Sequence, residues 1–141
     1  MANLFSEEEL ARLSDAVDQQ LRELKASVGE ASFRGDEEEQ TLAETPQGKA
    51  IAQITQEPPK TFLQKFGLAA KSDLCEEGGM LYQQWKKWGD LENKEALERL
   101  GAVLMAMGFT GGALEPLAVA TLVIILHLSV KTFCEEYSSK T

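Results

Sequence analysis

The stretch LAVATLVIILHLSV, residues 117–130, decides the fold of this chain. It is the most apolar segment of the sequence, and its 14 residues include no charged side chain and one histidine, His127. A helix of this length spans about 21 Å, whereas the hydrocarbon core of a bilayer is about 30 Å thick. The stretch alone is too short to cross a membrane, so the neighbouring residues decide between a buried core helix and a membrane helix.

Upstream residues extend this apolar stretch. Residues 111–130 are 20 residues long with Glu115 as the only charge, which is sufficient for a single membrane span near the end of the chain. Thr121 and His127 do not share a helical face, so a helix here is apolar nearly all round. Such a helix lies either in lipid or at the centre of a helical bundle.

The two preceding segments favour a soluble bundle. Residues 73–88 and 91–107 each carry one stripe of large apolar side chains, and such stripes need an apolar partner. We therefore predict an all-α fold in which residues 61–141 form a small bundle around a last helix at about 113–137. A membrane-embedded last helix is the alternative, and a third reading has the hairpin 100–130 inserting into a membrane on a trigger.

The N-terminal segment, residues 1–28, is predicted to form an amphipathic helix from about Glu7 to Val28. Ser6 and Glu9 stand at the spacing of a capping box. Residues 29–60 predict an acidic flexible linker with one helical turn near Ala50 to Ile54, which would separate the N-terminal helix from the bundle. The apolar stripe then either packs on the chain's own core or docks on a protein partner or a second copy, and we predict docking. The predicted partner-binding residues are Leu10, Leu13, Val17, Leu21 and Leu24.

Charge and cysteine content restrict location and partners. The net charge is −9, and residues 1–60 hold 13 acidic and 6 basic side chains, so the chain repels nucleic-acid phosphates and no nucleic-acid partner is expected. Cys75 and Cys134 are too few for a disulfide framework; one bond between them is the alternative, but nothing in the sequence shows that they meet. The N-terminus lacks the pattern of a secretory signal. We expect a cytoplasmic protein with reduced thiols; a membrane location through residues 111–130 is the alternative.

The residue types required for catalysis are sparse. His127 is the only histidine, no CxxC pair occurs, and "GFTGG" lacks the lysine of a phosphate-binding loop. We therefore expect a non-enzymatic protein without metal or cofactor. His127 itself is interpreted as a structural histidine on a helix, with a proton-sensing switch as the alternative.

Overall fold

The chain folds into helices packed around one apolar helix, as described by a computed structural model. Within the described residues there are eight α-helices, one short 3-10 turn and no strand, which confirms the predicted all-α bundle. The described residues are 5–28, 44–76, 78–88, 93–128 and 130–137. The helices are α1 (Glu7–Val28), α2 (Pro46–Thr55), α3 (Pro59–Ala69), α4 (Lys71–Leu74), α5 (Met80–Trp88), α6 (Asn93–Ala106), α7 (Leu114–Leu128) and α8 (Val130–Tyr137).

Helix α7 occupies the centre of the bundle. Eleven of its 15 residues are buried, and it packs against α1, α2, α6 and α8. Thr121 is its one fully buried polar side chain, and the Thr121 hydroxyl donates a hydrogen bond to the Leu117 carbonyl at 2.7 Å. Gly111–Leu128 is also long and apolar enough to cross a membrane, although most of it is buried among the other helices.

Helix α1 is an integral part of this bundle. The predicted capping box forms, because the Ser6 and Glu9 side chains each accept a hydrogen bond from the other's backbone N–H, at 3.1 and 2.9 Å. Val17 is 0% exposed, and the helix packs against both α6 and α7. This arrangement differs from the predicted helix held apart by a linker.

Polar contacts add to the attachment of α1. The backbone N–H of Phe5 donates to the Glu98 carboxylate at 2.8 Å, and the Asn93 amide donates to the Asp18 carboxylate at 2.9 Å. Glu98 and Asn93 both belong to α6, so α1 is held at two points along the same neighbour.

Part of the predicted linker is helical. Within residues 29–60, α2 begins with Thr45 as N-cap, whose hydroxyl accepts a hydrogen bond from the Gly48 N–H at 2.9 Å, and Pro46 follows at the first turn. Ile51 is fully buried, and α2 packs on α7. Burial of this face offsets the ordering entropy of the segment. Residues 29–43 of the predicted linker lie outside the described residues.

Residues 73–88 are predicted to be helical, with the Gly78–Gly79 pair marking either a close helix crossing or a break near Gly79. The structure has a break, since α4 ends at Leu74 and α5 begins at Met80. Gly78 has a φ of +94°, which favours glycine. A Cβ atom on Gly79 would lie 2.4 Å from the carbonyl oxygens of Ser72 and Asp73, so no larger residue fits there. The last predicted helix, at about 113–137, corresponds to α7 and α8, and residue 129 between them lies outside the described residues.

A disulfide corrects the expectation of reduced thiols. Cys75 at the end of α4 is bonded to Cys134 in α8, with a Cα–Cα distance of 5.7 Å. The two cysteines are 59 residues apart in sequence, and tertiary packing brings them together. Phe66 of α3 contacts Phe133 edge-on, with ring centroids 6.3 Å apart, which positions α8 beside α3 and α4.

Replacement of Val17 by aspartate should destabilise the whole bundle. An unpaired carboxylate in the core costs several kcal/mol, so we expect the free energy of unfolding to fall by roughly 3 kcal/mol or more. Ala11→Asp is the matched control, because Ala11 is exposed on the same helix. Chemical denaturation followed by circular dichroism measures both; equal stability of the two variants would contradict a core position for α1.

Loss of the disulfide should also destabilise the fold. Closing a loop of 59 residues is expected to contribute about 2–5 kcal/mol, mainly by restricting the unfolded chain. The double variant Cys75→Ser, Cys134→Ser should therefore unfold at a lower denaturant concentration than the oxidised protein. Reductant should lower the unfolding midpoint of the wild-type protein and leave that of the variant unchanged. An unchanged midpoint for the wild-type protein in reductant would argue against the bond.

Candidate functional site

A groove of about 670 Å³ opens between α1, α2 and the first turns of α7. Its volume lies within the range of roughly 300–1,000 Å³ that is typical of ligand-binding clefts, and most of its surface is apolar. The lining residues are Arg12, Leu13, Ala16, Gln20, Glu23, Leu24, Pro46, Gln47, Ala50, Glu115, Pro116, Val119 and Ala120.

One face of α1 forms the longest wall of the groove. Leu13, Ala16, Gln20 and Leu24 follow at spacings of three, four and four residues, which places them on a single helical face. Leu13 and Leu24 are buried and belong both to this wall and to the core. Ala16 and Gln20 are half-buried, so they form the accessible part of the wall.

The amino-terminal half of α2 forms the second wall. Gln47 is only 3% exposed, and its side-chain Nε2 donates a hydrogen bond to Oε1 of Gln20 at 2.8 Å. This bond joins the two walls. The Oε1 atom of Gln47 is buried and accepts no hydrogen bond from any described residue. A buried acceptor without a hydrogen bond costs about 1–3 kcal/mol, so a complex in which a partner donates to Gln47 Oε1 would be stabilised.

The start of α7 closes one end of the groove. The Arg12 guanidinium lies 3.2 Å from the Glu115 carboxylate and joins α1 to α7. The two side chains are 61% and 31% exposed, so this ion pair contributes about 1 kcal/mol or less. The remaining α7 residues in the groove, Pro116, Val119 and Ala120, present apolar surface.

The structure separates the five predicted partner-binding residues into two groups. Leu13 and Leu24 line the groove, whereas Leu10 and Val17 are buried in the core and Leu21 is half-buried against it. The stripe at the predicted spacing therefore covers the chain's own helices over most of its length. The neighbouring groove face is where apolar surface of α1 stays open to a partner while the bundle is folded.

His127 lies away from the groove, near the carboxyl end of α7. Its side chain is half-buried, and both ring nitrogens are shielded from solvent. The proton-sensing role of His127 stays a prediction. In the described part of the chain, no group of three histidine, cysteine, aspartate or glutamate side chains is arranged to bind a metal ion.

Of the thirteen lining residues, sequence reasoning named only Leu13 and Leu24; those it missed include Ala16, Gln20, Gln47 and Ala50. The first two lie beside the apolar stripe of α1 and carry no signal of their own. The last two depend on α2, which the pair Thr45–Pro46 indicates as a capped helix start. The run of four acidic residues at 36–39 and the low apolar content of the surrounding segment predicted a flexible linker instead.

Comparison with known proteins leaves the assignment to the geometry, since no family model, curated protein or solved structure matches this chain.

Proposed function

We propose that the protein is a non-enzymatic interaction protein that binds a segment of a protein partner in the groove between α1, α2 and α7. The observation that carries this proposal is the open apolar groove of about 670 Å³ beside Leu13 and Leu24. Apolar clefts with a few polar groups are the usual form of binding sites, because apolar contact supplies affinity and the polar groups supply orientation.

The chemistry of the lining supports binding rather than catalysis. Among the described residues, the lining includes no serine, threonine, cysteine, histidine, tyrosine or lysine. Carboxylates are therefore the only candidate nucleophiles or general bases in this described lining. Glu23 and Glu115 are the two carboxylates; Glu115 is paired with Arg12, and Glu23 is exposed.

Filling the groove should abolish partner binding while preserving the fold. We expect Ala16→Trp to remove partner capture, because Ala16 is half-buried in the wall and an indole occupies the space a partner needs. Ala11→Trp places the same side chain on the exposed, opposite face of α1. Both variants are compared with wild type by affinity capture from the native host and mass spectrometry, with circular dichroism to check the fold.

A partner retained by wild type and Ala11→Trp but lost by Ala16→Trp would support the proposal. If every captured protein binds all three forms equally, the groove is not the binding surface and the proposal fails.

A second candidate function is that of a small membrane protein. Gly111–Leu128 has the length and composition of a membrane span, which favours this candidate. In that case, the last apolar helix anchors the chain or perturbs a bilayer, and the helices around α7 dissociate from it.

Fractionation of the expressed protein without detergent distinguishes the two candidates. The groove proposal expects a soluble, folded helical species, whose fold is lost when residues 108–141 are deleted because α7 is the centre of the core. The membrane proposal expects a pelleted protein that only detergent solubilises, and a deletion variant that becomes soluble and folded. Recovery of the full chain only in membranes would therefore overturn the groove proposal.

A further inference from the structure

We propose that the segment bound in the groove is an amphipathic partner helix that carries a lysine or arginine where it meets Gln47 and Glu23. This inference rests on the proposed function and specifies the chemistry of its partner. It depends on the shape of the groove, on the acceptor atoms at one end of it and on the distribution of charge along it.

The shape of the groove favours a helix. The lining of α1 extends from Arg12 to Leu24, which corresponds to about 18 Å along the helix axis or roughly three turns. An extended peptide gains affinity by pairing with a strand edge, and the described residues contain no strand. A helix satisfies its own backbone hydrogen bonds and needs only an apolar trough for one face, which this groove provides.

The acceptor atoms are concentrated near the carboxyl end of α1. Gln47 is bonded to Gln20, and Glu23 lies one turn beyond Gln20 on the same face. The buried Gln47 Oε1 lacks a donor among the described residues, and the exposed Glu23 carboxylate accepts a hydrogen bond from the Gln19 amide at 3.3 Å. Both groups accept hydrogen bonds and Glu23 is negatively charged, so this end of the groove favours a cationic donor.

The charge along the groove is asymmetric. At the opposite end of the groove, the Arg12 guanidinium lies 3.2 Å from the Glu115 carboxylate and neutralises its charge. Among the described residues no cation lies within ion-pair distance of Glu23, which leaves one uncompensated negative charge in the lining. The chain's net charge of −9 also attracts a basic segment during encounter.

A displayed peptide library tests this inference without a known partner. Peptides of about 16 residues, roughly 24 Å of helix, have apolar residues fixed at i, i+3, i+4 and i+7 and all other positions randomised. The library is selected against the full-length protein, and enriched peptides are synthesised for Kd measurement by fluorescence anisotropy. The proteins compared are wild type, Ala16→Trp, Ala11→Trp, Glu23→Gln and Glu8→Gln.

We expect the enriched peptides to share a lysine or arginine at one end. They should bind Ala16→Trp more weakly than wild type and bind Ala11→Trp as tightly as wild type. Loss of a charge-assisted hydrogen bond should raise the Kd about tenfold, either on Glu23→Gln or on replacement of that basic residue by glutamine. The two changes together should cost no more than one alone, because they remove the same contact. Glu8→Gln is the control, since Glu8 is an exposed acid of α1 outside the groove.

The possible failures are distinguishable. Enriched peptides that bind the groove but are neutral or acidic, or whose affinity is indifferent to Glu23→Gln, would overturn the inference and leave the proposed function standing. If no peptide is enriched, or if enriched peptides bind Ala16→Trp as well as wild type, the groove proposal fails together with the inference. Equal weakening by Glu8→Gln and Glu23→Gln would indicate attraction to the general acidity of α1 and would also overturn it.

Discussion

Helix α7 presents apolar side chains on every face, and these must be shielded from water. The arrangement of the other helices depends on this constraint, because they have to pack around α7 on all sides. Full burial of a valine, leucine or isoleucine side chain stabilises a fold by about 1.5–3 kcal/mol, and eight of the eleven residues that α7 buries are of these types. An amphipathic helix covers only one side of such a centre. Four neighbours, α1, α2, α6 and α8, are therefore drawn around it from both ends of the sequence.

The same constraint accounts for the groove. Val17 directs one side of α1 to the core, while Ala16 and Gln20 lie on an adjoining side of the same helix. Where α1, α2 and α7 meet, each contributes an alanine to the wall: Ala16, Ala50 and Ala120. Small side chains at these points leave the space between the helices unfilled. The groove therefore lies where two covering helices, α1 and α2, meet over the central helix α7.

Side-chain periodicity was informative where a helix has one strong stripe. Helix α1 begins and ends as predicted, and α6 ends before Gly108, whose φ of +106° suits a helix stop. For α2 the sequence indicated only one turn, near Ala50 to Ile54, because a ten-residue helix with a single fully buried large side chain, Ile51, scarcely differs in composition from a linker. It also left the use of the α1 stripe open, since core packing and partner docking require the same spacing.

The sequence by itself determined the all-helical class, the capped start of α1 and the uniformly apolar character of α7, because these depend on local spacing and on side-chain polarity. The tertiary structure decided which surfaces meet. It places Val17 in the core and lets the Gln47 side chain donate a hydrogen bond to Gln20 across the groove. It also brings Cys75 and Cys134, 59 residues apart in sequence, together in a disulfide. Helical periodicity specifies which residues share a face. Which helix packs on that face depends on how all the apolar surfaces of the chain are buried together.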